Sequence, residues 1–321
     1  MKCRAAALAL ALFGCATPPP AEPPKPPEPP RIYSVAAALA IGERELVGEL
    51  ASARFVVLGE THDNPEHHRL QARLLERLVL AARQPAVAFE MLRIDQQPAL
   101  DEVLAGGDVS AQELRAAVSW DESGWPPFAL YAAVFEEALA ADLPIVGADL
   151  SKADRAALRG GQPELIAELG LGAPLPAAEQ RALERDIEAS HCGHVTAEML
   201  PAMVRVQRAR DARLAQSLLG ASGGEGRPAL LIAGAEHARL DRGVPRALSR
   251  LAPGADVAAV AFVELSRPAA ASGSVLALAD RTALEARYGG PPPFDFVWLT
   301  EPEPREDPCV EFEEALRKMG R

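Results

Sequence analysis

The stretch FVVLGETHDNP, residues 55–65, determines the predicted fold class of this 321-residue chain. Its first four residues form a short apolar run that stops abruptly at glycine and polar side chains, which is typical of a buried strand in a parallel sheet. Asn64 then fits the N-cap of a helix with Pro65 at the first helical position, and leucines follow at helical spacing. The segment therefore predicts a strand, a loop and a helix in succession.

The same pattern recurs along the chain. Further apolar runs that end at polar or small residues, with one more candidate strand near the C-terminus, lie at 87–89, 144–146, 230–232, 257–263 and 294–299. Amphipathic stretches separate them, so strands alternate with helices. The sequence predicts an α/β fold with a mostly parallel sheet flanked by helices. Residues 151–219 show no convincing strand and are expected to form an all-helical cap insertion.

The N-terminus has the composition of an export signal and a tether. Two basic residues precede a short apolar run that ends at Cys15, so we expect residues 1–15 to be a lipoprotein signal and lipobox with Cys15 acylated. An ordinary signal peptide cut elsewhere is the alternative. Residues 16–31 are rich in proline and predict an extended tether. Residues 32–321 then form the α/β domain.

Charge and missing motifs exclude several function classes. The formal net charge is −12, and removal of Lys2 and Arg4 with the signal makes it −14. Such a field repels phosphate backbones, so nucleic acid is not an expected partner. The chain has no Gly-x-Ser-x-Gly elbow, phosphate-binding P-loop or strand-linked Gly-x-Gly-x-x-Gly fingerprint. These absences disfavour a serine hydrolase, a nucleotide triphosphatase and a nicotinamide enzyme.

Two cysteines remain in the domain after the predicted processing, Cys192 and Cys309. An exported protein meets an oxidising compartment, in which such thiols are able to pair. Two cysteines do not make a disulfide framework, and the sequence does not decide whether they meet.

Polar side chains follow the predicted strands at the edge where open α/β sheets place ligand crevices. Glu60 and His62 follow the first strand, Glu90 and Asp149 occupy equivalent positions, and His237 follows a glycine turn. We expect these segments to converge on one rim. If the protein is an enzyme, the predicted catalytic residues are Glu60, His62, Glu90 and His237. The predicted metal ligands are Glu60, His62 and His237.

The histidines support more than one interpretation. A carboxylate beside an imidazole, as in Glu60 and His62, suits general-base catalysis, metal ligation or the fixing of a ring tautomer, and a purely structural pair is the alternative. The helix that follows His62 is expected to favour its neutral form through the helix dipole. His67 and His68 are adjacent in that helix, so at most one is expected to face the site. His194 is expected to reach the site from the cap.

A run of four arginines on the predicted cap helix adds one more candidate. Most such runs are solvated faces, but one arginine directed inward would clamp a carboxylate bidentately. The run comprises Arg205, Arg208, Arg210 and Arg213.

Taken in order, these motifs resemble those of the ChaN-like haem-binding lipoproteins. That family belongs to a wider group with the Tiki and TraB proteins and the erythromycin esterases. The resemblance is carried by GETHDNPEHH (59–68), FEM (89–91), GWP (124–126), SHCGH (190–194), QRARD (207–211) and AGAEHAR (233–239).

The resemblance implies haem as the cofactor and a role in haem and iron uptake. For a haem site we expect contacts from His62, His194, Arg210 and His237, with no axial ligand singled out. The implied location is the outer membrane, facing the periplasm. The implied partners are haem, the membrane through acylated Cys15, an outer-membrane haem receptor and a second copy of the chain.

Two functions therefore use the same rim. In a binding protein, Trp125 and Phe128 are expected to help form an apolar face for the porphyrin. The alternative is a metal-dependent hydrolase, an esterase or protease, because some members of the wider group have that activity. It would hold a divalent metal or activate water with the strand-end residues named above.

Overall fold

The computed structural model describes residues 31–223, 226–265 and 274–307, and the single positions 309, 310, 313, 314 and 317. The predicted signal, Cys15 and nearly all of the predicted tether lie outside these residues. Within the described part of the chain, no helix is both long and apolar enough to cross a membrane.

A mixed sheet of eight strands forms the centre of the described structure, in the spatial order β2-β1-β8-β7-β3-β6-β4-β5. Neighbours from β8 to β5 pair in parallel, whereas β1 is antiparallel to β2 and β8. The predicted α/β fold with a mostly parallel sheet is confirmed. The strands are β1 (Ile32–Ser34), β2 (Leu39–Ile41), β3 (Phe55–Glu60), β4 (Ala86–Arg93), β5 (Ile145–Asp149), β6 (Ala229–Gly234), β7 (Val257–Glu264) and β8 (Phe296–Thr300).

Helices cover both faces of this sheet. Asn64 caps the second of them as predicted, because its side chain accepts hydrogen bonds from the amides of Glu66 and His67. The helices are α1 (Glu43–Ser52), α2 (Pro65–Leu80), α3 (Gln97–Leu104), α4 (Ala111–Ala117), α5 (Phe128–Ala140), α6 (Lys152–Arg159), α7 (Pro163–Glu168), α8 (Ala177–Ser190), α9 (Leu200–Ser222), α10 (Val244–Leu251) and α11 (Ser274–Tyr288).

Alternate side chains of the central strands enter two separate cores. In β6, Leu230 and Ile232 pack with α2 and α5, whereas Leu231 and Ala233 face the core that includes α9 and α10. Successive residues of a strand point to opposite faces, so both sides of β6 are apolar. Both faces of the sheet are thereby covered, and its charged side chains lie towards the ends of the strands.

Four helices, α6 to α9, connect β5 to β6, and residues 150–223 contain no strand. The last helix is more than a cap element. Leu214 and Leu218 in its second half are fully buried in the sheet core. One continuous helix therefore joins the cap to the sheet, and it extends three residues beyond the predicted segment 151–219, to Ser222.

Two features answer or extend the sequence-based expectations. Cys192 and Cys309 form a disulfide, with their Cα atoms 5.5 Å apart, which settles the pairing that the sequence left open.

The hairpin of β1 and β2 was not predicted, because strands of three residues are too short to show an alternating pattern.

Candidate functional site

The carboxyl ends of four adjacent strands form the rim. Glu60 ends β3 beside Gly234 of β6, Glu90 lies in β4 and Asp149 ends β5. His237 follows β6 after a tight turn in which its amide donates to the Gly234 carbonyl. The structure thus brings together Glu60, Glu90, Asp149 and His237, and all four are almost completely buried.

His62 lies across the end of β6 because Gly234 has no side chain. A Cβ atom at Gly234 would stand 2.8 Å from His62 Nε2, closer than a carbon and a ring nitrogen pack. A side chain at this position would therefore push the His62 ring away from its place beside Glu90.

Glu60 is the centre of one half of the site. Its Oε1 accepts hydrogen bonds from His62 Nδ1 and from the Tyr131 hydroxyl, both at 2.8 Å. Oε2 lies 3.1 Å from His68 Nδ1 at ion-pair distance. Burial raises the pKa of Glu60, but the hydrogen bonds from His62 and His68 outweigh it and lower the pKa to about 2. Glu60 is a carboxylate throughout the physiological range.

The adjacent histidines of α2 have separate roles, and one of them faces the site as expected. His68 contacts Glu60, and its Nε2 donates to the His62 carbonyl at 2.9 Å. His67 accepts from the Thr61 amide at Nδ1 and donates from Nε2 to Thr300 Oγ1. Burial lowers the pKa of His67 to about 4, which agrees with a neutral ring. His67 therefore fastens the loop after β3 to β8.

Glu90 is the centre of the other half. Its Oε1 accepts from Arg210 Nη2 at 2.6 Å and lies 3.3 Å from His237 Nε2, while Oε2 accepts from the Gly234 amide at 2.6 Å. The same Oε1 is 3.8 Å from His62 Nε2, which links the two halves. Burial raises the pKa of Glu90, but His237 and Arg210 hold it well below the ordinary value.

His237 is a charged ring between two carboxylates. Its Nδ1 donates to Asp211 Oδ1 at 2.6 Å, and its Nε2 faces Glu90. Burial lowers the pKa of His237, but Glu90 and Asp211 outweigh it and raise the pKa to about 10. Both nitrogens therefore carry protons at neutral pH, and neither offers a lone pair to a metal or a substrate.

The expectation that His62 is held neutral by the helix dipole was wrong. Burial lowers its pKa, but the nearby carboxylates of Glu90 and Glu60 outweigh it and raise the pKa above 6.5. Two carboxylates close to the ring act more strongly than the partial charge of a helix end. With 32% of its side chain exposed, His62 is nevertheless the most accessible of the four predicted catalytic residues.

One arginine of the cap helix points inward, as the sequence analysis anticipated. Arg210 contacts Asp149 through Nε and Nη2 and Glu90 through Nη2. Asp149 also accepts from Arg155 at 2.6 Å. Arg210 thus fastens α9 to the ends of β4 and β5. Arg213, by contrast, pairs with acidic residues of the cap.

Two other predicted contacts lie apart from this cluster. His194 is exposed in the turn between α8 and α9. The expectation that Phe128 presents an apolar face to a ligand was wrong, because its ring is buried against Trp120 and Phe135. Trp125 is half-buried, with its ring edge-on to His62 at a centroid distance of 4.9 Å.

Sequence reasoning did not identify Asp211 or Tyr131 as members of the cluster. Asp211 is aligned with Val204 and Leu218 on the buried stripe of α9, since the three are spaced seven residues apart. An acid within an apolar stripe needs a partner, so that spacing carried a usable signal. Tyr131 stood on the apolar face of α5, where a tyrosine is hard to distinguish from a packing aromatic.

The predicted metal set, Glu60, His62 and His237, is close together but engaged within the protein. Its ring nitrogens face carboxylates, and the Arg210 guanidinium stands beside Glu90. In the described part of the chain, no group of three or more histidine, cysteine, aspartate or glutamate side chains has an arrangement suited to a metal ion. The donor geometry therefore gives the metal hypothesis no support.

A groove of about 330 Å³ opens next to the cluster, between the cap and the loop after β6. Gln207 and Asp211 form part of its wall and also contact His237. Leu183 and Ile187 of α8 supply apolar surface. The groove is thus an accessible space of ligand size beside the buried charges.

The profile of the family described as "Haem-binding uptake, Tiki superfamily, ChaN" matches residues 46–248. The chain belongs to this family. A similar solved structure, "Cofacial heme binding to ChaN of Campylobacter jejuni", is 22% identical, covers 83% of this chain and 94% of its own, and has a TM-score of 0.63. An erythromycin esterase, EreC, in its open conformation is 19% identical over 87% of this chain and 84% of its own, with a TM-score of 0.42. No curated protein matches the chain.

At 22% sequence identity, the similarity to the ChaN structure confirms the fold of this chain and carries no information about its ligand contacts. The family match begins in α1 and ends in α10, so it includes the whole rim and the cap. Strands β7 and β8 and the segments that follow α10 lie outside it.

We predict that His237→Gln flattens the pH dependence of stability. The pKa of His237 is raised from 6.5 to about 10, so its stabilising contribution is complete below pH 6.5 and is lost as the pH rises towards 10. The difference in unfolding free energy between wild type and variant should fall by roughly 1.4 kcal/mol per pH unit in this window. Urea unfolding at several pH values measures it. His194→Gln is the matched control, and an equal slope in wild type and His237→Gln would contradict the assignment.

Proposed function

We propose that this chain binds haem and serves haem or iron uptake at the cell envelope. The observation that carries the proposal is the match of residues 46–248, which include the entire rim and cap, to a family of haem-binding uptake proteins. Haem supplies an iron whose axial position takes a histidine, tyrosine, methionine or cysteine side chain. The residues that present such groups on an accessible surface are therefore the candidates for holding it.

The buried cluster supports the site without ligating iron in this arrangement. The rings of His62 and His237 direct their nitrogens at carboxylates, and Arg210 is bound by Glu90 and Asp149. We propose that these three residues hold the rim and the cap in register around the ligand. Tyr131 does not reach a ligand in this arrangement either, because it is fully buried and its hydroxyl donates to Glu60.

The tip of the cap carries imidazoles better placed for iron. Nδ1 of His191 donates to the Ile187 carbonyl at 2.8 Å, which leaves the lone pair of a neutral ring on Nε2. Metal-bound histidines commonly donate their other nitrogen to a carbonyl in this way. His194 is exposed three residues further on. We propose His191 and His194 as the candidate iron ligands.

We propose that the groove beside this tip receives the porphyrin. Leu183 and Ile187, which are otherwise buried in a small core of the cap, give part of the groove wall an apolar character. Arg242 lies in its wall, and its Nη1 atom is buried without a hydrogen-bond partner, so a movement of this side chain would bring an unused donor to a propionate. The nearby carboxylates of Asp186 and Glu236 both accept from Arg242 Nη2, and Arg239 lies 3.8 Å from Glu236, so arginines stand beside both acids.

The hydrolase alternative receives less support from this geometry. A general base needs a nitrogen with a lone pair that reaches a substrate or water. The pKa of His237 is raised to about 10, so its ring is protonated, and the rings of both His62 and His237 face carboxylates. We therefore propose that this rim supports a ligand-binding site rather than a hydrolytic one.

The proposed location follows from the N-terminal sequence. Acylation of Cys15 and the proline-rich residues 16–31 would hold the domain away from the outer membrane on its periplasmic side. A haem receptor in that membrane and a second copy of the chain remain proposed partners.

We predict that the purified protein binds haem with saturation and a shifted Soret band. The variant with both His191→Ala and His194→Ala should lose affinity by at least about tenfold, because the iron loses its axial side chain. Each single variant identifies which ring is the ligand, and Arg115→Ala on the exposed surface is the control. Non-saturating uptake by wild type would refute the haem proposal, whereas full affinity in the double variant would refute only the ligand assignment.

We predict that Cys15→Ala abolishes fatty-acid labelling of the protein in bacterial cells and releases it from the membrane fraction. Cys15 ends the short apolar run of the signal and is the predicted acylation site. Labelling with an alkyne fatty acid followed by fractionation measures both effects. Continued labelling and membrane association of the variant would show that the anchor is elsewhere.

A further inference from the structure

A proline-containing segment leaves the sheet after β8 and crosses towards the cap. We define the strap as residues 301–307 together with Cys309. Residues 301–307 form neither helix nor strand, and most of them are exposed. Pro302 and Pro304 favour an extended backbone that spans distance without packing. The strap must therefore be held by side chains rather than by a hydrogen-bonded ladder.

One end of the strap is fixed beside the rim. Arg305 binds both carboxylate oxygens of Glu264, at 2.6 and 2.8 Å, and its Nε lies 2.9 Å from Asp63. Glu264 also accepts from the Asn64 side chain at 2.7 Å. Asp63 and Asn64 directly follow His62. Arg305 thus ties the strap to β7 through a bidentate pair, and to the loop that carries His62 through Asp63.

The other end is covalently fixed to the cap. Cys309 is bonded to Cys192, which lies in the turn between α8 and α9, next to His191. Four residues span at most about 14 Å, so the disulfide confines the cap tip to the neighbourhood of Arg305 and the rim. The strap therefore closes a ring that runs from the loop after β3 through the strap to the cap tip.

We propose that the Cys192–Cys309 disulfide is a reducible latch, and that a dithiol opens the ring and admits a large planar ligand between the cap and the rim. The part of this inference that concerns haem rests on the proposed function. The covalent closure itself does not.

The chemistry of opening is thiol–disulfide exchange. A thiolate of the dithiol attacks one sulfur of the disulfide, and its second thiol resolves the mixed disulfide. Two electrons and two protons pass to Cys192 and Cys309, which become thiols, while the dithiol becomes a disulfide. Both cysteines are partly exposed and the neighbouring Asp307 and Val310 are exposed, so an attacking thiol has access.

Release of the latch leaves the contacts of Arg305 with Glu264 and Asp63 in place. Their bidentate geometry keeps the strap near the rim as far as Arg305. Reduction is therefore expected to free the cap tip and the part of the strap beyond Arg305, and loss of Arg305 to free more of the strap. The sheet is unaffected, because its cores do not depend on this segment.

Hydrogen–deuterium exchange tests the latch without haem. In the full-length protein, treatment with a dithiol should raise exchange about tenfold in peptides from residues 301–307 and from the turn around Cys192. The variant Cys192→Ser with Cys309→Ser should show the same increase without reductant and no further change with it. Arg305→Ala should add to the effect of reduction, whereas Arg115→Ala, which removes another exposed ion pair, should not.

Haem association then tests the consequence. In the wild-type protein, the rate of haem association, followed at the Soret band, should rise about tenfold on reduction. In the variant with both cysteines replaced by serine, the dithiol should change this rate little. Equal exchange in oxidised and reduced protein would overturn the latch. Altered exchange with an unchanged haem association rate would overturn its gating role. Altered exchange in a protein that binds no haem would overturn the proposed function and leave the covalent closure standing.

Discussion

The rim depends on the pairing of the buried Glu90 carboxylate with donors from other parts of the chain. This carboxylate is buried at the end of a strand, where an unpaired charge would cost several kcal/mol, so the fold must supply compensating donors. These come from three different parts of the chain: Arg210 of the cap helix, His237 of the loop after β6, and the Gly234 amide. Removing any one donor leaves the others around an incompletely paired charge. The sheet, the loop and the cap are therefore held in one arrangement.

Because of this pairing, the residues that hold the rim together differ from those that we propose to contact the ligand. Sequence analysis assigned side chains such as His237 to catalysis. In the structure, both ring nitrogens of His237 are engaged by Asp211 and Glu90, so this ring supports the site. We propose that the ligand contacts come from accessible groups at the tip of the cap and in the groove beside it. Membership of a haem-binding family and a closed network of charges are compatible, because a bound ligand needs a fixed frame as well as direct contacts.

The sequence was informative where a local pattern reflects a local cause. Apolar runs that stop at polar residues predicted the central strands, and the common edge of parallel strands predicted that Glu60, Glu90 and His237 meet. It was less informative about protonation and partners, which depend on distances between remote segments. The pKa of His62 is raised by Glu90 and Glu60, and the helix-dipole argument failed because these carboxylates meet the ring only in the folded sheet. The pairing of Cys192 with Cys309 spans 117 residues and has no local signature.

The nitrogen NMR spectrum of the His237 ring tests this account most directly. If Glu90 and Asp211 hold the ring as a cation with a pKa of about 10, both ring nitrogens should show the chemical shifts of protonated imidazolium at pH 8. In Glu90→Gln the pKa should fall, because one of the two compensating carboxylates is lost. A neutral ring with one unprotonated nitrogen at pH 8 in the wild-type protein would contradict the account.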